Sequence, residues 1–304
     1  MAAITYTGAA ANLRASEILN AEIWNLLFDG TDLRDLCVKV GDLGGSGSAK
    51  LETPQVDFGN AMGPANANET TAAATTSITD SALSLTVAGQ IISFQVSDLM
   101  QITAAAGNLS IAQLAASVTQ SYVLRFTDMA CVSAESFTNT VGTTTVDLVM
   151  DDIFAAVYQL EQSVVPGPYS CVLYPTQWTD LQESLRSEGG ALQMHAPTAD
   201  MLAIKPAGFK GSYLGVDFFA SDSVSAVAAG ADSNGWMMGR GGLAYAEASA
   251  SAAFAGSIAA PAQSPVYAEF SREANPGLSS VTAHAYVAVG VGEDDRGVAI
   301  ITDR

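Results

Sequence analysis

Apolar residues recur at helical spacing most clearly between positions 111 and 134. Ser110 followed by Gln113 forms a capping box, the side-chain pattern that satisfies the first free N–H groups of a helix. The apolar stripe that follows consists of Ile111, Leu114, Ala115, Val118, Tyr122, Phe126 and Met129. This pattern predicts an amphipathic helix from 111 to about 134, roughly 36 Å long at 1.5 Å per residue.

Three further stretches have the same periodicity. A helix is predicted over 146–164, ended by Pro166, Gly167 and Pro168, and another from Pro175 to about Gly189. A short helix before Gly30 is predicted from the spacing of Ile18, Leu19, Ile23, Trp24, Leu27 and Phe28. Because an apolar run from Tyr169 to Tyr174 directly precedes Pro175, this region is predicted to be a strand followed by a helix.

Residues 50–97 have the pattern of two long strands around a polar tip. The stretch KLETPQVDF follows a glycine-rich joint over 41–49, and β-prone residues return from Ile78 to Val96. Between them, residues 59–77 are small, polar and turn-forming. The pattern predicts a hairpin over 50–97 that projects from the body of the protein. Beyond 210 the chain is mostly strand and turn, so the fold class is α+β.

The chain carries few charges for its size. Of 304 residues, 49% are hydrophobic and 14% are charged, against about 25% charged in an average soluble domain. This composition predicts that much of the surface is covered by copies of the chain or by partners. The 12 Lys and Arg against 31 Asp and Glu give a net charge of -19. Since basic residues are what neutralise phosphates, this balance argues against specific nucleic-acid recognition.

Residues that catalyse reactions or hold cofactors do not converge anywhere in the sequence. His195 and His284 are the only histidines and have no metal-ligating neighbour at a suitable spacing. The glycine-rich stretches lack the GK[ST] ending of a phosphate loop, and no G-x-S-x-G nucleophile motif occurs. We therefore expect a protein that is not an enzyme and has no cofactor.

The three cysteines and one acidic run are the remaining candidates for chemistry in the sequence. Cys37, Cys131 and Cys171 are odd in number and widely spaced, which favours buried apolar roles over a disulfide framework or a zinc site. The acidic run 293–295 offers either a divalent cation site or a solvated turn, and its place between two apolar strands favours the turn.

Membrane and export signals are not predicted. The first residues lack a basic region followed by an apolar run, which is the pattern of a secretory signal. The uncharged stretch from Ala248 to Ala268 contains Pro261 and Pro265, so it is a poor membrane span.

Three stretches in the second half carry a more specific pattern. In SCVLYPTQWTDLQESLRSEGGAL a strand leads through proline into a helix, GSYLGVDFFASDSV has a turn and a hydrophobic strand, and NGWMMGRGGLAYAEA follows with glycine, an apolar pair and arginine. Together with the preceding arm, hairpin and long helix, this order resembles the major capsid proteins of tailed bacteriophages, which have the HK97-like fold.

The resemblance implies an α+β fold with four parts. Residues 1–48 would form an N-terminal arm and 49–97 the extended E-loop hairpin. Residues 98–144 and 256–292 would form the peripheral domain, with the 111–134 helix as its spine helix. Residues 145–255 and 293–304 would form the axial domain.

The resemblance also implies the function. The chain would self-assemble as pentamers and hexamers into an icosahedral head, through procapsid maturation, and enclose double-stranded DNA without sequence-specific binding. Assembly would occur in the host cytoplasm and the product would be the virion, with separate scaffolding, portal and decoration proteins as implied partners. The arm, hairpin and spine helix indicate these interface residues: Trp24, Phe28, Met62, Pro64, Asn68 and Tyr122. Lys50 lies at the base of the hairpin rather than at its tip, so we expect no covalent cross-link.

Two alternatives to a phage capsid protein remain at this stage. An encapsulin-type nanocompartment shell protein has the same fold but encloses protein cargo. A secreted acidic β-rich surface protein or adhesin would explain the acidity and the abundance of small residues, but it would need an export signal.

Overall fold

Strands and helices follow one another through the residues that the structure describes. The computed structural model describes residues 23, 33–43, 48–57, 79–97, 111–187, 198, 208–227, 230–249, 266–273 and 278–304. Its α-helices are α1 (Ile111–Ala134), α2 (Met150–Gln162) and α3 (Pro175–Ser187). Its strands are β1 (Val38–Asp42), β2 (Lys50–Asp57), β3 (Thr79–Thr86), β4 (Ala88–Ser97), β5 (Thr140–Val141), β6 (Tyr169–Leu173), β7 (Phe209–Tyr213), β8 (Val216–Ala220), β9 (Ala226–Val227), β10 (Asp232–Met238), β11 (Leu243–Glu247), β12 (Val266–Glu273), β13 (Leu278–Val291) and β14 (Gly297–Asp303).

Helix α1 begins and ends where the sequence predicts, over 24 residues. Four residues of the predicted stripe, Ala115, Val118, Tyr122 and Phe126, are buried on its inner side, and Ala130 is buried with them. The outer side exposes large apolar residues as well, since Leu124 and Val132 are 51% and 52% exposed. The helix therefore has one side that belongs to the core of its own chain and one that does not.

A five-stranded sheet lies against α1, with β13 at its centre. Val287 of β13 pairs with both Glu247 of β11 and Ala88 of β4, so these two strands lie on opposite edges of β13. β12 pairs with the first half of β13, and β1 extends the sheet by pairing parallel to β11. The side of β13 that faces α1 carries Val281, Ala283, Ala285 and Val287. Small and β-branched residues at these positions let the helix approach the sheet closely.

A seven-stranded sheet forms the second half of the molecule, in the order β5-β14-β10-β6-β8-β7 with β9 beside β10. Its central strands are buried on both faces. Trp236 and Met238 face the core that includes α1, whereas Met237 faces the core that includes α2 and α3. This double burial explains why the sequence shows continuous apolar runs here rather than alternation. The predicted strand and helix over 169–189 are confirmed as β6 and α3.

The hairpin predicted over 50–97 is shorter than the sequence indicated. β2 and β3 form a two-stranded antiparallel ribbon, in which Lys50 pairs with Thr86 and Asp57 with Thr79. The following ten residues leave the ribbon as β4 and pair with β13. Both parts alternate in the same β pattern, so the sequence alone does not show where one ends and the other begins. The strand β1, within the predicted arm, was likewise not anticipated.

Helix α2 is shorter than the predicted 146–164 at both ends. At its end the N–H of Val165 donates to the carbonyl of Leu160, and that of Val164 donates to the carbonyl of Glu161. Val164 has a φ of 56°, so these bonds form a Schellman motif, which stops the helix. Val146 and Val164 extended the apolar stripe in the sequence, but they are 49% and 74% exposed and do not face the core.

Two neighbouring crossings carry the chain between the two sheets. One joins β10 to β11 through 239–242, and the other joins β13 to β14 through 292–296. The N–H of Gly292 donates to the carbonyl of Gly242 (2.8 Å), and the N–H of Gly239 donates to the carbonyl of Arg296 (3.0 Å). The Arg296 guanidinium also donates to the carbonyl of Arg240 (3.0 Å) and pairs with Glu293. The crossings are thus tied to each other.

One buried amide connects α3 to the seven-stranded sheet. Gln177 is fully buried, and its Nε2 lies 2.7 Å from Thr302 Oγ1 and 3.1 Å from the carbonyl of Ser233. Its Oε1 accepts a hydrogen bond from the N–H of Tyr174 (3.0 Å). A single side chain therefore satisfies polar groups of β10, of β14 and of the turn before α3.

We expect Gln177→Leu to lower the free energy of unfolding by about 3 kcal/mol, because it leaves several buried polar groups without partners. Urea unfolding of the unassembled subunit, followed by tryptophan fluorescence, measures this. The matched control is Gln162→Leu on the exposed side of α2, for which a change within about 0.5 kcal/mol is expected. Equal stability of the two variants would contradict the role assigned to Gln177.

Candidate assembly surfaces

The base of the β2–β3 ribbon packs on the five-stranded sheet through Leu85, which is buried, and through Leu51 and Leu83, which are half-buried. Leu85 is buried against Ala244, Ala246 and Ala288, on the side of the five-stranded sheet that faces away from α1. Gly290 completes this socket, because a Cβ atom there would lie 2.7 Å from Leu85 Cδ2. The small residues of β11 and β13 therefore form a recess that fits a leucine side chain.

The rest of the described ribbon is largely uncovered. The exposed residues are Lys50, Glu52, Pro54, Ala82, Ser84 and Thr86. A two-stranded ribbon is marginally stable in water unless it packs on something else. Along β2, Lys50, Glu52 and Pro54 discourage pairing with another strand, because charges and a residue without an N–H disrupt a ladder. The exposed face of the ribbon, rather than the β2 edge, is therefore the candidate contact surface.

The N-terminal segment 33–43 is held to β11 by a mostly buried ion pair. Glu247 is 4% exposed, and its carboxylate lies 2.8 Å from Lys39 Nζ and 3.7 Å from Arg34 Nη1. Asp42 accepts hydrogen bonds from the N–H and the hydroxyl of Ser249 at 3.0 and 3.2 Å. Two of the twelve basic residues, Arg34 and Lys39, therefore hold this segment on β11.

Two aromatic side chains lie together on the outer side of α2. Phe154 is 42% exposed and Tyr158, one turn further along, is 62% exposed. They are the exposed large aromatic residues in the described part of the chain. Aromatic residues contribute strongly to protein contacts because they bury a large area at low entropic cost. This side of α2 is a second candidate contact surface.

The interface residues predicted from the sequence fall into two groups. Trp24, Phe28, Met62, Pro64 and Asn68 lie outside the described residues. Tyr122 is 3% exposed, and it borders a cavity of about 210 Å³ between α1 and strands β4, β12 and β13. It packs into the core of its own chain, so its part in assembly stays a prediction.

The candidate catalytic and metal-binding residues that the structure describes make contacts that stabilise the fold. His284 stacks on Tyr267, with ring centroids 5.0 Å apart, whereas His195 lies outside the described residues. In the acidic run, Asp294 accepts a hydrogen bond from the N–H of Thr138 (2.9 Å) and Glu293 pairs with Arg296. Within the described ranges, no group of three or more His, Cys, Asp or Glu side chains is placed to hold a metal ion.

All three cysteines are buried and none forms a disulfide, as the sequence predicted. Burial raises the pKa of the Cys131 thiol to about 12, and burial also raises the pKa of Cys171. Both thiols are therefore neutral and poorly reactive at physiological pH. Among the described helices, none has the length and apolar character needed to cross a membrane.

We expect Glu247→Ala to release the N-terminal segment and to lower the free energy of unfolding by about 2 kcal/mol, less than for a fully buried pair because Lys39 is partly exposed. Trypsin checks this directly, since cleavage after Arg34 and Lys39 should become faster. Glu52→Ala removes the exposed partner of Lys50 and is the control. Unchanged cleavage in Glu247→Ala would show that the ion pair does not hold the segment.

Known proteins resemble this chain in structure rather than in sequence. The sequence matches no family model and no curated protein. Solved structures match at probability 1.00: the capsid of Ralstonia phage GP4 (TM-score 0.63, 13% identity, 90% of this chain and 91% of that chain) and a structure from Mycobacterium phage Che8 (TM-score 0.60, 16% identity, 89% and 90%). The SrpI encapsulin complex from Synechococcus elongatus also matches (TM-score 0.61, 12% identity, 89% and 86%).

These likenesses extend over about nine tenths of this chain and 86–91% of the matched chains. The identities are low, and the likeness therefore concerns the fold. The chain has the HK97-like fold, in the α+β form found in phage capsid and encapsulin shell proteins.

Proposed function

We propose that this chain is the major capsid protein of a tailed bacteriophage, and that its role is structural rather than catalytic. It self-assembles as pentamers and hexamers into an icosahedral head around double-stranded DNA, within the host cytoplasm, and remains in the virion. The observation that supports this most is the likeness to phage capsid structures over about nine tenths of both chains. Scaffolding, portal and decoration proteins are the partners that such a head uses.

The domain assignment follows the two sheets. Residues 1–48 form the arm, whose strand β1 extends the five-stranded sheet, and α1 with the other four strands of that sheet forms the peripheral domain. The seven-stranded sheet with α2 and α3 forms the axial domain. β4 and β11, which the sequence boundaries placed in the E-loop and the axial domain, pair with β13 and are assigned here to the peripheral sheet. The E-loop is then the β2–β3 ribbon and the residues between its strands.

The ribbon is the element that needs a neighbour. Its base is fixed by Leu85, while its described outer face is exposed. We place that face on an adjacent subunit, where burial of the ribbon offsets the entropy lost on ordering it. The low charge of the chain favours such contacts, because few long charged side chains must be desolvated.

The acidity of the chain shapes both assembly and packaging. A wall with the same charge sign as DNA does not adhere to the genome. Subunits of net charge -19 also repel each other. Burial raises the pKa of Asp180, with smaller contributions from the charges of Asp147, Asp303 and Glu183, which shows that acidic groups already crowd one another within one subunit. Salt should therefore stabilise the shell by screening this repulsion.

A nanocompartment shell is the second candidate, because an encapsulin structure matches as well as the phage capsids do. The two functions differ in content. Particles that contain nuclease-protected DNA after production in the native host support the capsid, and particles that contain a second protein and no DNA support the nanocompartment.

We expect the purified protein to form closed shells of tens of nanometres in negative-stain electron microscopy, with more shells in molar than in millimolar salt because the Debye length shortens from about 30 Å at 0.01 M to about 3 Å at 1 M. Light scattering measures the same transition in solution. A homogeneous monomer or dimer at every salt concentration would refute shell formation, and equal yields at all salt concentrations would refute the electrostatic argument.

We expect replacement of residues 58–78 by Asn-Gly to give a folded subunit that no longer closes into shells. A two-residue turn suits the register, because Asp57 pairs with Thr79. Circular dichroism and thermal unfolding check the fold, and microscopy checks the shells. The control keeps the loop and carries Ser136→Ala in the exposed turn after α1, and it should assemble normally. Normal shells from the Asn-Gly variant would overturn the assignment of the ribbon as the E-loop.

A further inference from the structure

Strand β4 pairs along one edge only within the part of the chain that the structure describes. Each of its ten residues, Ala88–Ser97, is matched with a residue of β13, and no described strand lies along its other edge. From 88 to 95 every residue is exposed or half-buried, and none is buried. Ile91 is 65% exposed. An open strand edge presents unpaired N–H and C=O groups to any extended chain that approaches it.

The composition of β4 is unusual for an open edge. Its sequence, AGQIISFQVS, carries no charge and no proline, although the chain has a net charge of -19. Soluble proteins usually protect such edges with lysine, proline or a bulge, as β2 does with Lys50 and Pro54. Since β4 has none of these, its edge is suited to pairing with another strand.

The other described strands of five or more residues either carry a charge or have partners on both edges. Among those of five or more residues, the strands without a charged residue are β4, β6 and β13. β6 already pairs with β8 and β10, and β13 already pairs with β4 on one edge and with β11 and β12 on the other. In the described part of the chain, β4 is thus the one long uncharged strand with an open edge.

We propose that β4 pairs antiparallel with β4 of a second copy of this chain across a two-fold axis, which joins two five-stranded sheets into one. In a two-fold contact, residues near the axis lie opposite their own copies. A charged strand would therefore place like charges face to face, which destabilises a strand pair. β4 avoids this cost because it has no charged residue, so two strongly acidic chains can pair along it without placing charged side chains opposite each other. The proposal rests on the proposed function, since a shell brings many copies together, and it names a contact between them.

Cysteine cross-linking tests this pairing. Because the three native cysteines are buried, a cysteine introduced at Ile91, Ser93 or Gln95 is the reactive one. These three positions share one face of β4. A disulfide needs the Cα atoms of its two cysteines about 4.4–6.8 Å apart. In an antiparallel pair, moving the cysteine by two residues in both strands moves these two Cα atoms apart by about 14 Å. Antiparallel two-fold pairing therefore allows at most one of the three single variants, and at most one mixture of two variants, to form dimers efficiently.

The experiment uses assembled particles, mild oxidation and a non-reducing gel. We expect a covalent dimer for one variant or mixture, and Ser136→Cys, in the exposed turn after α1, is the control for random collision. With the cysteine at Ser93 or Gln95, adding Ile91→Lys should reduce the dimer about fivefold, because it brings two positive charges to the paired edge. Leu124→Lys, with a similarly exposed apolar residue on α1, should leave it unchanged.

The outcomes separate this inference from the proposed function. If particles form and no variant or mixture exceeds the Ser136→Cys control, the β4 pairing is wrong and the shell stands. If the wild-type chain forms no particles, the proposed function fails, and the same oxidation is carried out on the soluble chain. A dimer with the same position dependence then supports the pairing, and its absence overturns it.

Discussion

The two crossings between the sheets are bonded to each other, and this contact orients the halves of the molecule. A Cβ atom on Gly292 would lie 2.4 Å from the carbonyl oxygen of Gly241, and one on Gly242 would lie 3.0 Å from the carbonyl oxygen of Arg296. Only glycine permits this closeness, and the Arg296 guanidinium then bridges the two crossings. Because α1 also packs in a core that includes residues of both sheets, the subunit has no simple hinge at this point. Its two sheets are expected to move as one body during assembly.

The ribbon and the β4 edge are two parts of the described subunit whose contacts are incomplete. The ribbon has a single buried anchor in Leu85, and β4 has one open edge without charge. Both features are costly in a monomer, because exposed apolar surface and unpaired strand edges favour aggregation. In the proposed shell, neighbouring subunits would satisfy the same features. The low charge and the acidity of the chain then act together: contacts form readily once salt or close fit overcomes the repulsion between subunits.

Local patterns predicted the elements whose stability is local. Helix α1 was predicted with its start at 111 and its end near 134, because a capping box and an apolar stripe specify both its start and its buried side. Strand β6 and helix α3 were recognised for a similar reason, since Pro175 marks the boundary between them. The ends of α2 were missed because the apolar residues beyond them, Val146 and Val164, are exposed. Periodicity reports that a side chain is apolar, and it does not report what covers that side chain.

The sequence by itself determined the α+β class, the long helix, the burial of the cysteines and the lack of charge that points to association. It also carried enough order of features to indicate the HK97-like fold. The partners of each strand were decided only by the tertiary structure, which divides 78–97 between a ribbon and a sheet and brings Glu247 to Lys39, 208 positions away in the chain. The reason is physical. Helices and turns are set by neighbours in sequence, whereas strand pairing and buried ion pairs depend on contacts between distant segments, which no local pattern records.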